Sequence, residues 1–199
     1  MPCKINKGLI PANCQDFAVG GLSGRFWVIN KSDWDAATLV LGSDNEITDI
    51  TPVAPASGEA FAYRFQVPPK SMATGNAMTS NNGVSGLTHS VTALIADLSM
   101  GMKNSLAALF NIKRCLIIVE TQAPKLAVPA ESKSPPYILY GTESGLEMSS
   151  VDTNLSDQAV GNGELAVFST PTNSRLELNF PTNVQMTTAD IEALEAVTP

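Results

Sequence analysis

Residues 87–121 have the sequence LTHSVTALIADLSMGMKNSLAALFNIKRCLIIVET, which contains a strand, a helix and a second strand in succession. In Leu87–Ile95 apolar and polar residues alternate with a period of two, which is typical of a strand with one buried face. Cys115–Thr121 begins with five consecutive apolar residues, which indicates a buried strand. The sequence therefore predicts a core built from strands, with a helix packed against them.

The predicted helix covers residues 99–113. Ser99 or Asp97 precedes it as a candidate N-cap, and Lys113 and Arg114 place positive charge beside the negative end of its dipole. Its apolar side chains recur at helical spacing and are expected to face the strands: Met102, Leu106, Leu109 and Phe110. An alternative is that this apolar face packs between subunits of an assembly.

Further segments show strand patterns, and about eight strands stand against one firm helix. Pro68 and Pro69 end one of these strands, and Gly161–Gly163 is a tight-turn signal before another. A short helix is also expected at Thr188–Ala196, with Thr187 or Thr188 as its cap. The remaining strand segments are 25–30, 47–51, 61–67, 137–140, 145–149, 164–169 and 175–180.

Three segments depart from this pattern. Residues 70–86 are rich in Ser, Asn, Gly and Thr and predict a long loop or a hairpin arm, while 122–136 is proline-rich and predicts an exposed excursion. Residues 181–199 form an acidic C-terminal extension, expected to be solvated. Residues 1–199 are therefore interpreted as one mainly β domain, with its core at about 20–180.

Composition excludes several classes of protein. Hydrophobic residues make up 44% of the chain and charged residues only 16%, which is too apolar for a disordered chain. The uncharged polar residues are abundant, with 18 Ser, 16 Thr and 14 Asn. A net charge of −7 argues against a nucleic-acid binder that depends on a basic surface. No apolar segment has the length of a membrane span, so no membrane partner is expected.

The residues show no catalytic or metal-binding motif. His89 is the single histidine, and within a strand it is expected to be packed or cross-strand paired. Cys115 lies in an apolar segment, where a reactive thiolate is not expected, and no Cys spacing supports a metal site with Cys3 and Cys14. No enzyme activity and no cofactor are therefore expected.

Several short phrases follow one another in a characteristic order along residues 20–180. This series resembles the tail tube proteins of long-tailed bacteriophages, especially those of phages and prophages of gut Bacteroidetes. Two segments, 122–136 and the part after Pro181, have no place in the pattern. The phrases are GRFWVINKSDW at 24–34, the strands 47–51 and 61–67, HSVTA at 89–93, LAAL at 106–109, LIIV at 116–119, YILYG at 137–141, GLE at 145–147, GNGELAV at 161–167 and STP at 169–171.

The resemblance implies a tail-tube-like β-sandwich or barrel with one flanking helix and extended arms. It also implies rings, usually hexamers, whose inner sheets join into a continuous barrel around a DNA channel. The expected partners are copies of the same chain, other tail or neck proteins, and DNA that passes without specific binding. The expected location is the virion tail, assembled in the host cytoplasm.

Two other functions stay open. One is a single-level ring of the tail, such as a hub, a terminator or a connector. The other is a β-sandwich binding module of a virion, for example one that binds carbohydrate, although aromatic residues make up only 6% of the chain.

The tube interpretation predicts particular contacts. Met72, Met78 and Val84 of the arm are expected at a subunit interface, where the arm becomes ordered. Asp49 and Glu164 are candidates for the lumen, because acids repel DNA phosphates. Two bases, Arg64 and Arg175, are expected to point outward or to pair with acids at subunit boundaries.

Overall fold

A computed structural model describes most of the chain from residue 21 onward. Within the described ranges the chain forms eleven strands and three short helices. The described residues are 21–42, 45–53, 58–68, 70–81, 84–112, 114–122, 135–155, 162–171, 177 and 179–196.

Most of the described elements are strands, as expected for a mainly β protein. In chain order they are β1 (Leu22–Asn30), α1 (Lys31–Ala36), β2 (Thr38–Leu41), β3 (Ile47–Thr51), β4 (Ala62–Gln66), β5 (Met72–Asn81), β6 (Val84–Ile95), α2 (Met100–Asn111), β7 (Cys115–Thr121), β8 (Tyr137–Tyr140), β9 (Glu147–Asn154), β10 (Gly163–Ser169), β11 (Thr182–Val184) and α3 (Thr188–Ala193).

The strands form two sheets. A large sheet has seven strands in the order β2-β3-β11-β8-β7-β1-β4, and a small sheet has four in the order β5-β6-β10-β9. Neighbouring strands run antiparallel, except that β11 and β3 pair in parallel. Neither sheet closes on itself within the described ranges, so each has two edge strands. The mainly β prediction is confirmed, and these sheets form no closed barrel.

The first core lies between the two sheets. The predicted inward face of β6 is confirmed, since His89, Val91, Ala93 and Ile95 are all at most 2% exposed. Strands β6 and β10 of the small sheet face the large sheet here, which contributes alternate residues of β1, β7 and β8. Other side chains buried in this core are Phe26, Val28, Ile117, Val119 and Tyr140 of the large sheet and Ala166 and Phe168 of β10.

A second core covers the opposite face of the large sheet. Trp34 of α1 and Ile191 of α3 pack there against Trp27 and Ile118. Strand β7 therefore faces apolar layers on both sides, and all seven of its residues are buried. Both helices of this layer have only six residues, and α1 was not predicted because so short a helix shows no periodic pattern.

The C-terminal residues up to Ala196 pack against the large sheet, whereas the acidic tail was expected to be solvated. β11 lies between β3 and β8 in the large sheet, and Val184 is fully buried. α3 begins with a capping box, in which Thr187 and Asp190 each bind the other's backbone N–H. The predicted cap at Thr187 is thus confirmed.

Most predicted strands occur at or near their expected positions, and three have the predicted bounds: β3, β7 and β8. β2 was missed because its side chains are largely exposed, and β11 because it has only three residues. The arm at 70–86 belongs to the β5–β6 hairpin, so the loop alternative was wrong. The strand predicted at 175–180 and the excursion at 122–136 lie mostly outside the described residues.

Helix α2 differs from prediction at one side chain. Ser99 caps it as expected, by accepting a hydrogen bond from the Met102 N–H, and Leu106 and Leu109 are buried against the first core. Phe110 is 59% exposed, so the prediction that it packs on the strands was wrong. Because residues turn by 100° along a helix, Phe110 lies beside the face that Leu106 and Leu109 bury rather than within it.

Helix α2 offers a matched test of these positions. Leu106→Ala should lower the free energy of unfolding by about 2–5 kcal/mol, because it leaves a cavity in the core. Phe110→Ala should change it by no more than about 0.5 kcal/mol, as at other exposed sites. Urea unfolding of the monomer measures both values. Equal losses in the two variants would contradict the arrangement of α2.

Candidate assembly surfaces

The outward face of the small sheet is partly exposed, and its central part carries mostly short, uncharged side chains. Its members alternate with the buried residues of the same strands and lie in register across β5, β6, β10 and β9. The central part of this face consists of Ala73, Gly75, Ser90, Thr92, Val167, Ser169 and Ser150. Leu94 and Leu165 pair across β6 and β10 on the same face and are its larger apolar side chains.

The small sheet contains no positive charge. The sequences of β5, β6, β9 and β10 include no Lys or Arg, and their three acids are Glu147, Asp152 and Glu164. Glu147 and Asp152 lie on the edge strand β9, opposite the outward-facing residues Ser169 and Leu165. This face would therefore offer phosphate groups no cationic partner.

The two candidate lumen acids occupy different environments. Glu164 is only 5% exposed and points inward, where Thr153 donates a hydrogen bond of 2.8 Å to it. Lys103 Nζ lies 3.9 Å from the same carboxylate. Asp49 is on the large sheet and is exposed, and its carboxylate accepts a hydrogen bond from the Ile50 N–H. The structure does not bring these two acids together.

The β5–β6 hairpin extends past the rest of the small sheet. β10 pairs with β6 only along residues 90–95, whereas β5 pairs with β6 as far as the hairpin turn between them. Met72 at the base packs against the subunit's own core, and Met78 further out is 77% exposed. The side chain of Val84 lies outside the described part of the chain. Of the three predicted interface residues, Met78 is thus the one shown to be exposed.

Buried polar groups hold the base of this hairpin. Leu87 of β6 exchanges two backbone hydrogen bonds with Glu177, and the fully buried Glu177 carboxylate accepts bonds from the N–H groups of Glu143 and Ser144. His89 Nδ1 accepts a bond of 3.3 Å from the Gly141 N–H. This cluster ties the hairpin to the turn after β8. Because its residues are far apart in sequence, no local motif could reveal it.

His89 and Cys115 are both buried, as expected. Burial lowers the pKa of His89, although the negative charges of Glu177 and Glu143 and the backbone carbonyl of Asn179 oppose the shift. Burial also raises the pKa of the Cys115 thiol to about 12, so the thiol stays protonated near neutral pH. Within the described ranges no group of three or more His, Cys, Asp or Glu side chains could hold a metal ion.

A second polar network binds α3 to the large sheet. Glu120 on β7 is fully buried and pairs with Arg25, which also lies 3.3 Å from Glu192. Arg64 on β4 lies 3.7 Å from Glu192 and 3.6 Å from Glu195. Arg64 therefore points to acids of its own subunit, and Arg175 lies outside the described residues. Glu192 and Glu195, which were expected in a solvated tail, instead pair with arginines of the large sheet and help to hold α3 against it.

Comparison with known proteins assigns no family: no family model, curated protein or solved structure matches this chain. In the described part of the chain, no helix combines the length and apolar character that membrane crossing requires.

The pH dependence of stability tests the His89 cluster. In the unfolded chain the pKa of histidine is about 6.5, and burial places the folded value lower. Below about pH 6.5 the unfolded chain therefore binds the proton first, and stability falls by up to about 1.4 kcal/mol per pH unit until the folded pKa is reached.

The matched variant is His89→Asn, whose side-chain oxygen can still accept a hydrogen bond from Gly141. Urea unfolding between pH 7 and 5.5 should show the loss of stability in the original protein and a flatter profile in the variant. Identical slopes would show that His89 does not cause the pH dependence.

Proposed function

We propose that this chain is a structural virion protein, a phage tail tube subunit whose stacked rings surround a DNA conduit. The observation that carries the proposal is the small sheet, whose edge strands β5 and β9 have no further strand partner among the described residues and whose four strands contain no Lys or Arg. The resemblance of an ordered series of phrases to tail tube proteins agrees with the same function. The chain would act in the virion tail after assembly in the host cytoplasm, with copies of itself and other tail or neck proteins as partners.

Free strand edges explain why the subunit would assemble. β5 and β9 each have an unpaired row of backbone N–H and C=O groups within the described residues. Such edges favour pairing with another chain. If β5 of one copy pairs with β9 of the next, the small sheets join into one closed barrel.

The dimensions of such a barrel are consistent with six copies and exclude three. Six copies of a four-stranded sheet give 24 strands, and a spacing of about 4.8 Å with a tilt of about 40° gives a diameter of about 48 Å between backbones. A barrel of this width leaves room for duplex DNA inside. Three copies would give a diameter of about 24 Å, which is too narrow for hydrated duplex DNA.

Charge explains how DNA would pass without being held. A net charge of −7 per chain gives −42 for a ring of six. Each Lys or Arg that contacts a phosphate releases counterions and makes binding salt-dependent. The outward face of the small sheet provides no such contact, so DNA slides along it.

A single-level ring such as a hub or terminator would use the same edges and the same sheet. Residues 182–193 do not favour such a ring over a tube, because β11 and α3 pack within the domain. The number of copies per virion separates the two functions: many rings indicate a tube and one ring a hub or terminator.

A carbohydrate-binding module is the alternative from another class. It is favoured by a polar cavity of about 470 Å³ beside the exposed ring of Phe180. Amides and a carboxylate can bind sugar hydroxyls, and the ring can pack on a sugar face. The lining residues are Asn45, Glu46, Asn179, Phe180, Pro181, Thr182 and Asn183. Glycan-array binding that is lost in Phe180→Ala would favour this function over the tube.

The tube function predicts assembly of the purified protein. Electron micrographs at high protein concentration should show rings or tubes with a central channel, because pairing of the free edges removes unpaired backbone groups. Sedimentation should show a shift from monomer to a ring-sized species as concentration rises. A protein that stays monomeric at every concentration would contradict the proposal.

The charge of the channel wall can be tested with Thr92→Lys, which places one cation per subunit on the outward face of the small sheet. Rings of this variant should retain duplex DNA at low salt and release it at high salt. Rings of Thr92→Gln, which has a long but uncharged side chain, should behave like the original protein and retain none. Equal DNA retention by all three proteins would show that this face does not line the channel.

A further inference from the structure

His89 lies where three segments of the chain meet, and its side chain is fully buried. Its backbone exchanges hydrogen bonds with Thr170: the Thr170 N–H donates to the His89 carbonyl at 2.9 Å, and Thr170 Oγ1 accepts from the His89 N–H at 2.8 Å. The turn after β8 reaches the ring through the Gly141 N–H. The third segment contains Glu177, which pairs with Leu87 of the same strand as His89.

The hydrogen bonds of the ring determine its protonation state. Nδ1 accepts from the Gly141 N–H, so the proton of the neutral ring is on Nε2. The Asn179 carbonyl favours the charged ring, but among the described residues no group is placed to accept a hydrogen bond from the buried Nε2. A protonated ring would carry a second N–H at Nδ1, directed at the Gly141 N–H. Only the neutral ring therefore fits this site.

The turn after β8 has little freedom to redirect the Gly141 N–H. Gly141 and Gly145 have φ angles of 83° and 75°, and the Gly145 N–H donates to the Gly141 carbonyl at 3.1 Å. The turn is also packed closely, since a Cβ at position 141 would lie 2.9 Å from Leu146 Cγ. A proton on Nδ1 must therefore displace the ring or open the turn.

Two carboxylates attract a protonated ring. Glu177 and Glu143 both favour the charged form of His89 through their negative charge. The Glu177 carboxylate is fully buried and already accepts hydrogen bonds of 2.9 Å from the N–H groups of Glu143 and Ser144. A charged donor makes a stronger hydrogen bond to a carboxylate than a neutral N–H does. An imidazolium that turns towards Glu177 would therefore displace the two N–H groups of the turn.

The other groups around the ring do not attract the proton. Arg114 donates to the Ser144 carbonyl and adds a positive charge at the turn. The Tyr140 ring meets the imidazole edge-on, with 5.8 Å between ring centroids, and burial raises the pKa of its hydroxyl, so Tyr140 stays neutral. Asn76 of β5, which pairs with His89, and Thr170 carry no charge. Glu177 is thus the group to which a protonated ring would move.

We propose that His89 is a pH-sensitive latch, which holds the turn 141–145 and Glu177 to the base of the β5–β6 hairpin when neutral and releases them when protonated. The rest of the domain stays folded in the released state, because residues 90–95 of β6 keep both neighbouring strands and Val91, Ala93 and Ile95 stay in the first core. This release differs from the loss of overall stability at low pH, because it is local and precedes unfolding. Such a latch would act whether or not the chain forms a tube.

NMR of the untagged full chain, at a concentration where it is monomeric, tests the latch. The imidazole signals give the midpoint of the titration directly, because His89 is the single histidine. Below this midpoint, the Glu143 and Ser144 amides should exchange within about tenfold of the rate of unprotected amides at the same pH, as expected for a locally open segment. The amides of Ile117 and Val119 in β7 should stay at least about a hundredfold better protected.

Two variants connect the release to His89 and Glu177. His89→Asn keeps an acceptor for the Gly141 N–H but does not titrate, so Glu143 and Ser144 should stay protected over the same pH range. Glu177→Gln keeps an oxygen acceptor and removes the negative charge, so the His89 midpoint should move to lower pH. The matched control is Asp152→Asn, which removes an acid from β9 and should leave the midpoint unchanged.

Three results would overturn the latch. In the first, Glu143 and Ser144 stay protected after His89 has been protonated, so protonation releases nothing. In the second, β7 loses protection at the same pH, so the opening is global. In the third, His89→Asn shows the same release, so another group causes it. The Glu177→Gln variant is an independent test, and an unchanged His89 midpoint there would contradict the role of Glu177.

Discussion

Burial of β7 on both of its faces is the constraint on which the rest of the structure depends. Five consecutive apolar residues, Cys115–Val119, cannot be covered by one layer, because successive side chains of a strand point to opposite faces. The small sheet with α2 covers one face, and α1 with α3 covers the other. The three-layer arrangement follows from this one strand.

The sequence predicted the elements whose burial is regular and local. β6 alternates cleanly and β7 is continuously apolar, so their positions and buried faces were predicted. β3 shows the limit of such reasoning: Ile47 and Ile50 are both buried although three residues apart, because a bulge opposite Val40 and Leu41 shifts the register. Phe110 was misplaced for a related reason, since helical spacing identifies a stripe but not its borders.

The candidate surfaces were less predictable than the fold. The absence of Lys and Arg from residues 71–95 can be read from the sequence, but only the pairing of β6 with β10 and of β10 with β9 shows that the property extends across a sheet. Nothing in the sequence indicates that the carboxylates of Glu120 and Glu177 are buried. Each binds partners at least 33 residues away, Arg25 for Glu120 and Ser144 for Glu177, and such pairs are made only by the complete fold.

The position of β11 has a consequence for synthesis on the ribosome. Without residues 182–184, the strand pairings of the large sheet fall into two separate groups, β2 with β3 and β8 with β7, β1 and β4. The strand that joins them pairs Val184 with Ile47, a separation of 184 − 47 = 137 residues. Contacts this distant form slowly and late. A truncated product of translation that ends before β11 therefore lacks the strand that joins the two parts of the large sheet.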